Sequence, residues 1–208
     1  MVRRALSIGV AVGVYGISFG AAAAAAGLSA LQACALSLLV FTGASQFALV
    51  GVLGAGGGIA AGVASAVLLG TRNAVYGVVM ADRLQVRGPR RVVAAHLTID
   101  ESTAVGTTAP PHLSGVGFWW AGLTVYVLWN LSTLLGALGA AAVDTNAIGL
   151  DGAVGAAFLG LVWPRLREAR WVALGGALLA AIAVPLTPPG VPVLVAGAAV
   201  LPALVRRR

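Results

Sequence analysis

The sequence predicts an all-α fold, a polytopic integral membrane bundle of about six crossings with one re-entrant hairpin made from a broken helix. Composition is the first reason. Hydrophobic residues make up 60% of the 208, charged residues only 9%, and the mean hydropathy is +0.99. A soluble domain of this size needs far more charge to cover its surface. Second, the apolar runs are continuous, whereas membrane strands alternate apolar and polar residues. Third, short arginine clusters separate the runs, as the positive-inside rule describes.

The runs are 5–26, 30–53, 58–81, 118–142, 147–163 and 171–205. In the first, Gly9, Gly13, Gly16, Gly20, Ala23 and Gly27 recur at spacings of four and three. That spacing makes one smooth helix face for close packing. The run is too long for a signal-peptide core and reads as a retained span. In 30–53, Phe41-Thr-Gly-Ala-Ser-Gln-Phe47 interrupts the centre with small and polar residues, so two half-helices are expected to meet at Gly43. Gly54-Ala-Gly-Gly-Gly58 is a turn unlike any phosphate-binding loop. The run 58–81 carries Arg72 in its interior. The stretch 82–116 is the longest hydrophilic one. In 118–142, Trp119 and Trp120 suit an interfacial belt. The last run holds Pro185, Pro188, Pro189, Gly190 and Pro192 and should divide near 187–190.

The formal net charge is +7, and every one of the 13 basic residues is arginine. Four clusters hold all but Arg72: Arg3-Arg4, Arg83 through Arg91, Arg165-Arg167-Arg170 and Arg206-Arg207-Arg208. Such clusters orient a chain against anionic cytoplasmic lipid, which makes nucleic acid the weaker partner. Three runs lie between the first cluster and the second, so keeping both inside requires one run not to cross. The polar break singles out 30–53. The remaining runs then alternate in a single domain, 1–208, with both termini cytoplasmic in the inner (cytoplasmic) membrane. No internal repeat is visible.

Cys34 is the only cysteine, so no intrachain disulfide and no metal-ligand spacing arises; neither a metal nor a cofactor is expected. Four polar groups compete for a role. Arg72, with Asn73 and Tyr76, places a charge where lipid should be, and such a charge normally faces a cavity or a partner. The alternative is an arginine that snorkels and closes a structural ion pair. Thr42, Gly43, Ser45 and Gln46 surround the expected break, where a new helix N-terminus near Ser45–Gln46 presents N–H groups suited to a carboxylate. Ordinary interhelical hydrogen bonding is the other reading. Asp100 and Glu101, with His96 expected one turn earlier, can titrate, pair with Arg72, or simply begin a solvated helix. Tyr126, Asn130 and Thr133 share one face of 118–142, which suits bonding between helices or contact with a solute. Enzyme signatures such as HExxH, GxSxG or paired cysteines are absent, so an enzyme is not expected.

Gly16-Ile-Ser-Phe-Gly20, Val40-Phe-Thr-Gly-Ala-Ser-Gln-Phe47, Thr71-Arg-Asn-Ala-Val-Tyr-Gly77 and His96-Leu-Thr-Ile-Asp-Glu101 together resemble AzlC-type proteins, the large subunits of branched-chain amino acid exporters. The resemblance covers essentially the whole chain in order. It implies export of leucine, isoleucine, valine and related amino acids, a small AzlD-like membrane subunit as partner, and a proton gradient as driving force. The glycine face of the first span and the scarcity of soluble loops leave lipid-facing surface for that partner. The family carries Asn-x-Arg-His where this chain reads Gly70-Thr71-Arg72-Asn73, which shifts proton coupling toward Asp100, Glu101 or His96. A non-transporting scaffold subunit and a passive channel are the alternatives.

Overall fold

The computed structural model describes residues 1–141 and 169–201. The expected span 147–163, Arg165, Arg167 and the Arg206–Arg208 cluster lie outside the described residues. Every described element is helical: α1 (Val2–Val14), α2 (Gly16–Ala25), α3 (Ala30–Val40), α4 (Ala44–Gly54), α5 (Ile59–Leu84), α6 (Pro89–His96), α7 (Asp100–Thr108), α8 (Ser114–Ala141), α9 (Arg170–Ala183) and α10 (Val191–Gly197), with 3-10 turns at Pro111–Leu113 and Ala198–Val200. Among them, Val2–Ala25, Ile59–Leu84 and Pro111–Ala140 are long and apolar enough to cross a bilayer.

The first span is formally two helices, but Tyr15 between them keeps right-handed helical dihedrals. A Tyr15 N–H to Val12 C=O bond of 3.0 Å tightens the turn without breaking the rod. Its glycine face is used at once. A Cβ on Gly9, Gly13, Gly16 or Gly20 would run into Thr124, Leu128, Trp129 or Thr133 respectively. The matched order makes α1–α2 and α8 parallel, in close backbone contact. The close packing expected of this face is thus made with α8. Phe19, Phe47 and Trp129 fill the centre, with Phe19 stacked on Trp129 at 6.1 Å and edge-on to Phe47 at 5.5 Å.

The run 30–53 breaks at Phe41–Gly43. α3 starts with a reciprocal cap, Ser29 N–H to Gln32 Oε1 at 2.8 Å and Gln32 N–H to Ser29 Oγ at 3.2 Å. It stops at Phe41, whose φ of 31° and ψ of 55° are left-handed, and Gly43 follows at φ 48°. A left-handed phenylalanine is strained. It is held there by burial and by the rings of Tyr126 at 4.9 Å and His96 at 5.9 Å. α4 then returns antiparallel to α5, with Ser45, Leu49 and Val52 meeting Gly70, Gly62 and Gly57 in turn. It ends with Gly54 against Ala26, so α3 begins and α4 ends at the same end of the bundle.

The stretch 82–116 is not an open loop. α7 packs against α5 and α8, and α6 meets the bundle at its C-terminal end through buried Ala94 and the His96 ring. Arg83 on the last turn of α5 reaches the Gly106 carbonyl near the end of α7. The break expected near 187–190 occurs, with Gly190 at φ 98°. There the Gly190 carbonyl accepts from buried Ser65 of α5 at 3.4 Å.

Candidate functional site

The breaks after α3 and after α6 meet midway along α5. Arg72 sits near the centre of that 26-residue helix. Its Nη1 lies 2.9 Å from Asp100 Oδ2 at the first residue of α7. Thr42 and Gly43 approach from the other break, just before α4. A cavity of about 40 Å³ results, walled by Thr42, Gly43, Arg72, Asn73, Asp100 and Glu101, with Val12, Phe41, Ala44, Ile99, Val125 and Trp129 completing it. Six of the residues expected from sequence therefore converge from three separate elements.

The others take different places. Gln46 is fully buried and its Oε1 accepts from the N–H groups of Thr42 at 3.3 Å and Gly43 at 3.1 Å. It caps α4, whose N-terminus falls at Gly43–Ala44, slightly before Ser45–Gln46. Ser45 is buried beside Gly70, one residue from the cavity wall. Tyr76 stands one turn beyond Arg72 on α5 and is not part of the wall. His96 is not one turn before Asp100, because α6 ends at His96 and the chain turns through Leu97–Ile99 before α7 begins. Its ring instead packs against Phe41 and Tyr126. Asn130 donates to the Tyr126 carbonyl of its own helix at 2.8 Å. Tyr126 reaches the Leu38 carbonyl and Thr133 bonds Ser37 at 3.1 Å, so that face ties α8 to α3.

Several buried polar atoms here have no hydrogen-bond partner among the described residues: Thr42 Oγ1, Ser45 Oγ, Gln46 Nε2, Arg72 Nε, Asn73 Oδ1, Asp100 Oδ1, Thr103 Oγ1, Trp129 Nε1 and Asn130 Oδ1. Native interiors tolerate few such groups, since each carries a desolvation penalty. Five of the nine, on Thr42, Arg72, Asn73, Asp100 and Trp129, belong to residues that line the cavity, which gives it polar groups left over for a further contact. Burial pushes the Glu101 carboxyl above the ordinary carboxylate range, and Asp100 adds to the rise. Its own backbone N–H and Arg72 pull the other way.

Trp129, Val12 and Val125 are site residues that sequence reading passed over. Trp129 alone offered a signal, an indole within the middle of a span rather than at its interfacial ends.

The profile of the AzlC protein family matches residues 7–143, more than half of the chain and all of the cavity. The chain belongs to the AzlC family. No curated protein matches this AzlC chain, and no solved structure does. Membership and the three span-length helices make it a membrane protein of transport type.

Proposed function

We propose that this AzlC chain exports branched-chain amino acids across the cytoplasmic membrane, together with a small AzlD-like subunit and at the expense of the proton gradient. The observation that carries the reading is the convergence of Thr42, Gly43, Arg72, Asn73, Asp100 and Glu101 on one cavity at the middle of α5. Resemblance to the family brings the substrate class and the partner; the cavity brings a place for the substrate's charged end. The α4 N-terminus and the guanidinium of Arg72 are the two groups suited to a carboxylate. Val12, Ala44 and Val125 line the same space with apolar surface. Glu101 is the group best suited to carry a proton, since burial already favours its protonated form.

In this reading α3–α4 is a re-entrant hairpin. Each of its helices has 11 residues, about 16 Å at 1.5 Å per residue, roughly half of a ~30 Å hydrocarbon layer. Both termini are cytoplasmic. The cavity of about 40 Å³ is far below the ~300–1,000 Å³ of small-ligand pockets, so in this reading it is the closed state of a transport cycle and must widen to load. A closed cavity bridged by an ion pair fits an exporter better than a passive channel. Efflux of leucine, isoleucine and valine from preloaded cells, with and without the small partner and with the proton gradient collapsed, tests the proposal. Efflux requires chain, partner and gradient if it holds; unchanged retention of all three amino acids rejects it.

A further inference from the structure

α6–α7 repeats the construction of α3–α4 in the opposite sense. Each is a pair of short helices around a non-helical turn, and in each the third residue of the second helix caps the turn. Gln46 Oε1 accepts from Gly43 N–H at 3.1 Å, and Ser102 Oγ accepts from Ile99 N–H at 3.0 Å. Thr42-Gly-Ala-Ser-Gln46 and Thr98-Ile-Asp-Glu-Ser102 therefore correspond position by position. Relative to α5 the two second helices point in opposite directions. α4 runs antiparallel, pairing Ser45 with Gly70 and Leu49 with Gly62, while α7 runs parallel, pairing Asp100 with Arg72 and Gly106 with Met80. Their N-termini consequently face each other across the cavity.

The two ends carry unlike charge. The start of α4 has no acidic residue and stands beside Arg72, while α7 begins Asp100-Glu101. The lining atoms that are buried and without a partner among the described residues offer both kinds of contact: Arg72 Nε and Trp129 Nε1 are donors, Asn73 Oδ1 and Asp100 Oδ1 are acceptors, and Thr42 Oγ1 can be either. Trp129 is itself only 4% exposed. We propose that α6–α7 is the inverted counterpart of α3–α4 and that the cavity is a two-ended site for a zwitterion. Arg72 and the α4 start take the anionic end; Asp100 and the amide oxygen of Asn73 take the cationic end. In the closed state the Arg72–Asp100 pair presents to itself the two charges that the ligand brings, and the ligand enters by exchanging for each partner. This rests on the amino acid reading above and adds which residue reads the ammonium group.

The test is binding to the full-length chain in detergent, by calorimetry, of leucine, 4-methylpentanoate (leucine without its amino group) and 3-methylbutylamine (leucine without its carboxylate). Wild-type protein should bind leucine at least about tenfold tighter than either truncated compound, the loss expected for one charge-assisted contact. Asp100→Asn should weaken leucine by a similar factor and leave 4-methylpentanoate as it was or tighter, because Arg72 is released. Asp100→Glu, which keeps the charge, should retain part of the preference; it carries the test should Asp100→Asn fail to fold. A leucine to 4-methylpentanoate ratio unchanged in these variants, or wild-type protein that binds all three alike or none, overturns the two-ended site. Efflux separates the two readings: leucine export with an unchanged ratio removes this inference and leaves the transport function standing, and Asp100-dependent binding without export does the reverse.

Discussion

Replacing Arg72 by lysine separates a recognition role from a structural one. Arginine offers a planar fork: in the closed state Nη1 holds Asp100 at 2.9 Å while Nε, buried and without a partner among the described residues, remains for a second contact. Lysine keeps the charge on a single rotatable ammonium and cannot serve both directions at once. Losing one charge-assisted hydrogen bond to a carboxylate costs about 1.5–3 kcal/mol, roughly a 10- to 150-fold drop in apparent affinity. The pair itself contributes less, since 39% of the arginine side chain and 26% of the aspartate side chain remain accessible and screening reduces such pairs. Arg72→Lys should therefore raise the half-saturating substrate concentration by at least about tenfold with little change in the amount of inserted protein, and Arg72→Leu should abolish transport. The assay is efflux as a function of loaded amino acid, normalised to membrane-inserted chain. An arginine that only closes an ion pair predicts near-normal affinity for Arg72→Lys, and that result would refute the recognition role.

Other outcomes follow from the same geometry. Gly20→Ala should destabilise the protein in detergent by about 1–3 kcal/mol, because its Cβ meets the backbone of Thr133 and Ala137, whereas Gly139→Ala, with open space around it, should not; equal melting temperatures for the two would contradict the close seam. Glu101 has a raised pKa, so the folded chain holds its proton more tightly than the unfolded chain does, and its stabilising share is complete at acid pH and lost as pH rises through the raised value. Glu101→Gln should thus melt progressively higher than wild type as pH climbs out of the carboxylate range; parallel curves would dismiss this. Gln46→Ala removes the acceptor for two turn amides and should weaken substrate affinity more than expression, measured in the same efflux assay. Single cysteines at Gly27–Ser29 and Gly54–Gly58 should both react with impermeant reagent from the non-cytoplasmic side, and labelling from opposite sides would exclude the hairpin.

The break in 30–53 was legible because Thr42, Gly43, Ser45 and Gln46 are poor company for a continuous apolar helix. Arg72 was legible for the same reason, and its acidic partner could be narrowed to Asp100 or Glu101 because few acids exist to choose from. The glycine face announced a packing seam but not its owner, since spacing reveals a smooth surface and says nothing of which helix covers it. The inward fold of α6–α7 was hidden because its arginines and prolines have the composition of a surface loop; only the ion pair to the middle of α5 reveals where α7 begins. His96 was misplaced by assuming one helix through a segment that turns at Leu97–Ile99. Val12 and Val125 carry no mark at all, as a valine facing a cavity and one facing lipid read alike.

The Arg72–Asp100 pair also bears on membrane voltage. Moving one elementary charge through the field involves about 2.3 kcal/mol per 100 mV, but the Arg72–Asp100 pair has no net charge, and neither does a zwitterion bound between its members. In the proposed exchange, ligand entry therefore adds no net charge to the site. In the proposed export cycle a dependence on potential would then enter through a proton, and among the cavity-lining groups Glu101 is the one whose pKa burial raises. A voltage-clamped vesicle carrying Glu101→Gln would accordingly be expected to transport, if at all, at a rate indifferent to the potential.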